Sequence, residues 1–396
     1  SDLAANVTTT NDQTYGDGVG MDVITVDGDG VLTSTAGTVV LDGVGVGVVG
    51  DEDLSIDGDF DINAAIGGNQ GLGSLTVTGS TEIGAEVTTV AGQDYQGGAT
   101  LTDADRTLTT GTDVIFGPLP PAAPLATALT GGGFSLDIVG GLDLNGSAAG
   151  LAVLEVSGAS ELSGDVTSTA SQTYGQGIAL VTNSTLTTTD ADITITTGGV
   201  TGTGLDLILD AGTGNLSVTG AVGATGGGEL NLLSITDATD AAFANDVSVA
   251  TLDLNSSQAG TFDFDGLVTA TTLTTSLSTA ATNLRFDAGA SIADFVEFDI
   301  GGDLTLDGSG TPLTFDGGVD TDPATNGVGV AGTVSASGLI RTDGSAPAAI
   351  LRLADLTLFG DTVLDTAYVD DATGASLTVG NVTSQTHALT LDGGAL

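Results

Sequence analysis

The chain has 396 residues, with 51 Asp and Glu set against four arginines and no lysine, a formal net charge of −47, one histidine and no cysteine. That balance excludes nucleic acid, whose phosphates must be neutralised by cations, anionic membrane surfaces, a disulfide framework and any chemistry built on thiols or lysine. Disorder is excluded as well, because 40% of the residues are hydrophobic and Val, Leu and Ile interleaved with Thr suit half-buried strands.

The fitting counterparts of such a surface are multivalent cations, basic partners or a salty medium, and self-repulsion also keeps large assemblies soluble. No stretch approaches the roughly 18 apolar residues needed to cross a bilayer, so no membrane insertion is expected. Ser1 is followed by no basic or apolar leader. A secretion signal is therefore expected to be absent or already removed, and the text fits a processed product or a window of something longer.

In chain order, "VTTTNDQTYG" (7–16) returns as "VTTVAGQDYQG" (87–97) and "VTSTASQTYG" (166–175), so that the phrase opens at Val7, Val87 and Val166, an almost constant interval. Three of the four tyrosines, Tyr15, Tyr95 and Tyr174, lie in this phrase. The text between the copies also matches in order. "DLSIDGDFDIN" (53–63) answers to "FSLDIVGGLDLN" (134–145), and "LGSLTVTGSTEIGAEV" (72–87) to "LAVLEVSGASELSGDV" (151–166). Within these blocks, short runs such as "LTVTG" (75–79) place Leu75 and Val77 on one side and Thr76 and Thr78 on the other, and Gly closes the run. The pattern predicts many short strands and almost no helix.

Repeats that run into one another without a linker predict a stacked β-solenoid. Long units at 7–86, 87–165 and 166–245 fill residues 1–245, and 246–396 is a degenerate continuation. Each unit of about 80 residues should hold three or four coils of about 20–27 residues, giving roughly 15–20 coils in all, with the tyrosine phrase marking the same place in successive units. The stretch 116–133, with four prolines, should loop out, because proline cannot sit in a central strand. Phe262, Phe264, Phe286, Phe295, Phe298, Phe315 and Phe359 predict a thicker or less regular core in the C-terminal part. "VTSQTHALTL" (382–391) reads as a decayed fourth copy, with His387 in the place of tyrosine.

The phrases "VTTT-DQTYG", "LTST", "DVSVATL" and "FDFDGLVTATTLTTS" (262–276) resemble the repeats of filamentous-haemagglutinin-type exoproteins and autotransporter-like adhesins over most of 7–280. The resemblance implies a right-handed parallel β-helix at a bacterial surface, engaged in adhesion or matrix building, and brings no catalytic residues.

Catalysis is poorly supplied. A Ser/His/Asp arrangement would rest on His387 alone. A polysaccharide hydrolase would need two carboxylates about 5–9.5 Å apart, and nothing in the sequence singles out one pair. "VDGDG" (26–30) and "IDGDFDIN" (56–63) place Asp27 and Asp29, and Asp57, Asp59 and Asp61, at alternate positions that would share a strand face. Such carboxylates suit calcium, or form a solvated acidic face. The EF-hand pattern fails at Ile62. Asn-x-Ser/Thr triplets at Asn6, Asn145, Asn183, Asn215, Asn255 and Asn381 are at the level chance gives in so Thr-rich a chain. The tyrosines read either as a surface row for sugars or neighbouring filaments, or as structural aromatics whose hydroxyls find backbone partners. The expected function is that of a non-enzymatic extracellular structural protein: a subunit or stalk segment of a surface filament, sheath or adhesin that associates with copies of itself. A module binding surface glycans and a polysaccharide-degrading β-helix enzyme are the alternatives.

Overall fold

Period-two alternation in runs of a few residues, each closed by Gly or Asp, leaves the chain no structure but short strands that must find partners in other coils. A computed structural model describes residues 2–3, 6–16, 23–26, 29–42, 47–49, 52–67, 71–118, 125–224, 228–277, 281–324, 328–343, 349–368, 375–384 and 386–393. Among these there is no helix, and parallel strands stack into a β-solenoid of about 15 turns. The chain divides into two units, Ser1–Thr188 and Thr189–Leu396.

In the first unit the strands fall into three columns. The first column runs through Val7, Leu32, Ile56, Val77, Tyr95, Phe116, Leu144 and Leu162, each paired with the next. The second begins Tyr15, Leu41, Ile62, Ile83. The third runs Ile66, Val87, Leu108, Ile138, Val156, Tyr174. Nearly all of these side chains point inward and are buried. Coil length varies widely: Leu154 pairs with the nearby Gln172, whereas Leu108 finds its partner only at the more distant Ile138.

That long coil contains the proline-rich stretch, which is not one excursion. Leu125–Thr130 is a strand of the second column, paired with Ala99–Leu101 and Gly146–Leu151. Residues 119–124, with Pro120, Pro121 and Pro124, lie outside the described residues.

The tyrosine phrase does not return to the same place. From Val7 the pairing steps through Leu32 and Ile56 to Val77, which is three coils, and Val87 lies two columns further, past Thr81–Ile83. From Val87 the steps are Leu108, Ile138 and Val156, again three coils, and Val166 lies two columns beyond, past Ser160–Leu162. Each sequence repeat therefore spans three and two-thirds coils. Tyr15 stands in the second column, Tyr95 in the first and Tyr174 in the third.

Corners bring backbones into contact. A Cβ on Gly79 would meet the Gly58 carbonyl carbon at 2.4 Å, and Gly58 itself has φ of +135°, so neither position admits a side chain.

The second unit also builds three columns. One runs Val218, Phe243, Phe264, Phe286, Leu306. Phe243, Phe264 and Phe286 stack face to face at centroid spacings of 4.9 and 5.5 Å, and Phe298 and Phe315 extend the cluster at 6.4 and 6.1 Å in tilted and edge-on contacts. Phe262 is buried too, but Phe295 and Phe359 point out, each 44% exposed, so not all seven phenylalanines thicken the core. Stacked aromatic pairs add about 0.5–1.5 kcal/mol beyond their burial. Phe264 has a ring on either side, so Phe264→Ala should destabilise the second unit by about 3–5 kcal/mol, read as a lowered denaturant midpoint; a change no larger than that of an exposed-site control would contradict the ladder's role.

Candidate functional site

The repeated phrase folds into a closed polar network. Gln93 is fully buried, and its Nε2 donates to the Val87 carbonyl at 3.2 Å, to the Thr109 carbonyl of the next coil at 2.9 Å and to the Thr89 hydroxyl at 3.4 Å. Its Oε1 accepts the Tyr95 hydroxyl at 3.0 Å, and Thr89 donates onward to the Ala91 carbonyl at 2.8 Å. The third copy repeats each step. Gln172 donates to Val166, Thr187 and Ser168 at 3.2, 2.9 and 3.2 Å, Tyr174 donates to Gln172 at 3.0 Å, and Ser168 donates to the Ala170 carbonyl at 2.6 Å. In the first copy Tyr15 donates to Gln13 at 2.8 Å and Gln13 to the Thr33 carbonyl at 2.6 Å.

Tyr95 and Tyr174 are 0% exposed, while Tyr15 is half-buried. In each copy the tyrosine hydroxyl thus donates to the glutamine two residues earlier. Burial pushes both buried phenols far up and raises Tyr15 as well.

The acidic residues have a second recurring use, at the corners. In the second unit Asp192 Oδ1 accepts the Asn215 N–H at 2.8 Å and Asn215 Oδ1 the Asp240 N–H at 3.3 Å. Asp240 accepts Thr261 N–H at 2.8 Å, Asn283 accepts Asp303 N–H at 2.8 Å, Asp303 accepts Thr333 N–H at 2.7 Å and Asp355 accepts Asn381 N–H at 2.8 Å. The first unit does the same with Asp105 onto Ser135 and Asp165 onto Thr185, both at 2.8 Å. Each of these acceptors stands just before a strand or, for Asn283, at its first residue, where the corner breaks the ladder and the incoming N–H needs an acceptor. The Asn381 backbone N–H, then its side-chain amide, hold Asp355 below the usual carboxylate range.

The sequence carried a sign of this that the charge total conceals: of its 51 acidic residues 44 are Asp and only seven Glu. The shorter side chain reaches the neighbouring coil's backbone without spare length.

Of the candidate calcium ligands, Asp59 and Asp61 share one surface depression, and Asp29 and Asp57 take partners of their own. Asp27 lies outside the described residues. Asp29 faces the Asp53 N–H at 3.4 Å. Asp57 and Asp59 are exposed on one strand, Leu54–Ile62, on either side of Gly58; Asp57 accepts the Thr78 hydroxyl at 3.1 Å, and Asp59 accepts the Ser80 N–H and hydroxyl at 2.9 and 2.8 Å. Asp59 and Asp61, with Asp12 and Glu82, line a surface depression of about 320 Å³. Burial raises the Asp61 carboxyl.

The sequence reading missed a tighter group, Asp263, Asp265 and Asp287, with carboxylate oxygens all within 4.8 Å of one another. Its signal was the recurrence of Phe-Asp at 264–265 and 286–287. Arg285 already sits there, 2.6 Å from Asp287 and 3.7 Å from Asp263, and burial, opposed by Arg285, raises both carboxyls.

The other arginines also brace the wall. Arg352 pairs with buried Asp320 at 2.6 Å, Arg106 donates to the Thr102 carbonyl at 2.8 Å, and Arg341 donates to Thr314 at 2.9 Å. His387 Nδ1 is 3.9 Å from Asp361, and the Ser384 hydroxyl donates to the His387 carbonyl, not to its ring. These three residues do not form a nucleophile–base relay.

No protein-family model matches the chain, and neither curated proteins nor solved structures gave a match.

Tyr95→Phe strands the buried Gln93 Oε1 and should cost about 1–3 kcal/mol. In a spectrophotometric titration Tyr95 and Tyr174 should ionise only as the protein unfolds, after Tyr15. Iodination of Tyr95 in the native protein would contradict this.

Proposed function

We propose that this chain is a wall-forming structural protein: a non-enzymatic segment of an extracellular or cell-surface filament, sheath or adhesin stalk that associates with copies of itself. The observation that carries the reading is the use made of the repeated phrase. Its glutamine, hydroxyl residue and tyrosine bond to one another and to the next coil's carbonyl, so what the sequence repeats is a device for joining coil to coil. Corner aspartates serve the same end. Such a chain is extended by adding strands, and its acidic outer surface keeps a long assembly soluble. The fold and the phrases resembling those of bacterial surface adhesins point the same way.

Sedimentation velocity across a concentration series, with electron microscopy of the same samples, tests the proposal. Concentration-dependent oligomers or fibres are expected, and a monodisperse monomer at every concentration would overturn self-association. Saturable, specific binding on a glycan array by such a monomer would favour a carbohydrate-binding module, and cleavage of a polysaccharide an enzyme.

A further inference from the structure

The outward side of the first column in the first unit differs from the corners. Across successive coils it runs Thr76, Asp94, Ile115, Asp143, Glu161, Ala179. Asp143 and Glu161 are paired directly, at the spacing of about 4.8 Å between neighbouring strands, and only Ile115 separates Asp143 from Asp94. A fourth carboxylate is fixed beside them: Asp113 Oδ1 lies 2.0 Å from where a Cβ on Gly141 would be, and Gly141 is two residues before Asp143 on the same strand.

Asp143 is therefore faced by carboxylates on three other strands, Asp94, Asp113 and Glu161, and this run contains no basic side chain. Like charges placed opposite one another destabilise a sheet. Water screens them only in part, because Asp143 is half-buried against Ile115 and the Asp94 Oδ1 atom is buried without a hydrogen-bond partner. Asn145 Nδ2 donates to Asp143 Oδ1 at 3.0 Å and tethers the carboxyl where it is.

We propose that this carboxylate column is a proton-operated seam: charge loosens the stacking of its coils at neutral pH, and uptake of a proton by Asp143, shared with Glu161 as an acid–carboxylate hydrogen bond, tightens it. The inference is independent of the proposed function and concerns the condition under which this stretch of wall is most stable.

The electrostatics support the geometry. Burial first, then Glu161, Asp113 and Asp94, push the Asp143 carboxyl up to about 6, and burial also raises Asp94. A carboxyl whose folded value lies above its unfolded value of 3.8 binds its proton more readily in the folded state. Its contribution is fully present below the unfolded value and is lost as pH rises through about 6. The seam therefore tightens as pH falls from about 7 towards 4, opposite in sense to a salt-bridged aspartate.

Amide hydrogen exchange of the full chain, corrected for the intrinsic pH dependence, reads the seam locally in peptides covering Leu136–Leu144 and Ser160–Leu162. Protection there should be about tenfold greater at pH 4.5 than at pH 7.5. Asp143→Asn should raise protection at pH 7.5 to nearly the acid level and remove the pH response, and Glu161→Gln should act in the same direction if loss of the Asn145 contact complicates the first variant. Asp42→Asn, which removes an exposed charge elsewhere in the unit, should leave the response intact. An unchanged pH response in both seam variants, or an equal effect of Asp42→Asn, would overturn the proposal.

Discussion

Parallel stacking governs this molecule, because every feature of a coil is set about 4.8 Å from its counterpart in the next coil. Whatever occupies a position must tolerate a copy of itself, or of something similar, immediately above and below. Inward positions meet the condition with aliphatic side chains or with phenylalanines stacked ring on ring. Corners meet it with glycine, or with an aspartate that accepts the next coil's N–H. Outward strand positions meet it easily with threonine and poorly with carboxylates. One residue type thus has opposite effects according to location: Asp240 or Asp303 at a corner completes the hydrogen bonding of the neighbouring coil, whereas Asp143 on a face stacks against Glu161.

The same constraint explains the placing of the scarce cations. Arg285 lies among three carboxylates, Arg352 against a buried Asp320, and Arg106 against the Thr102 carbonyl. With four arginines to 51 acids the outer charge is not neutralised within the chain, so the wall is cohesive inside and repulsive outside. Stability must come from burial, the coil-to-coil ladder and the corner bonds, not from ion pairs.

Much of the architecture could be read from the sequence because strand alternation is local. Leu75 and Val77 are buried and Thr76 and Thr78 less so because a period-two pattern needs only neighbouring residues to be recognised. The glutamine–tyrosine network was legible as a repeated phrase but not as a link between coils: Gln93 and Tyr95 are neighbours on one strand, whereas the Thr109 carbonyl that Gln93 reaches comes from the next coil. The partners that the candidate calcium ligands take, Thr78 for Asp57 and Ser80 for Asp59, come from another coil and are not visible in the local alternation. Asp57 and Asp59 alternate on one strand, which Gly58, at φ of +135°, bends between them. Residues gathered from different coils, such as Asp263 with Asp287, are invisible to any local pattern. The chain length from one coil to the next is not constant, as the short step from Leu154 to Gln172 and the long one from Leu108 to Ile138 show.

The mismatch between the sequence repeat and the coil has a consequence for growth. An integral number of turns would line every copy of a repeat along one side, and a ligand or neighbour recognised by the phrase's outer surface would find a straight row. A repeat of three and two-thirds turns instead distributes its copies in a spiral, as leaves are set around a stem, and only the fourth copy would stand above the first, eleven turns on. Duplicating such a segment lengthens the wall while rotating its outer surface by a third of a turn, so an array grown this way presents its repeated features to all sides.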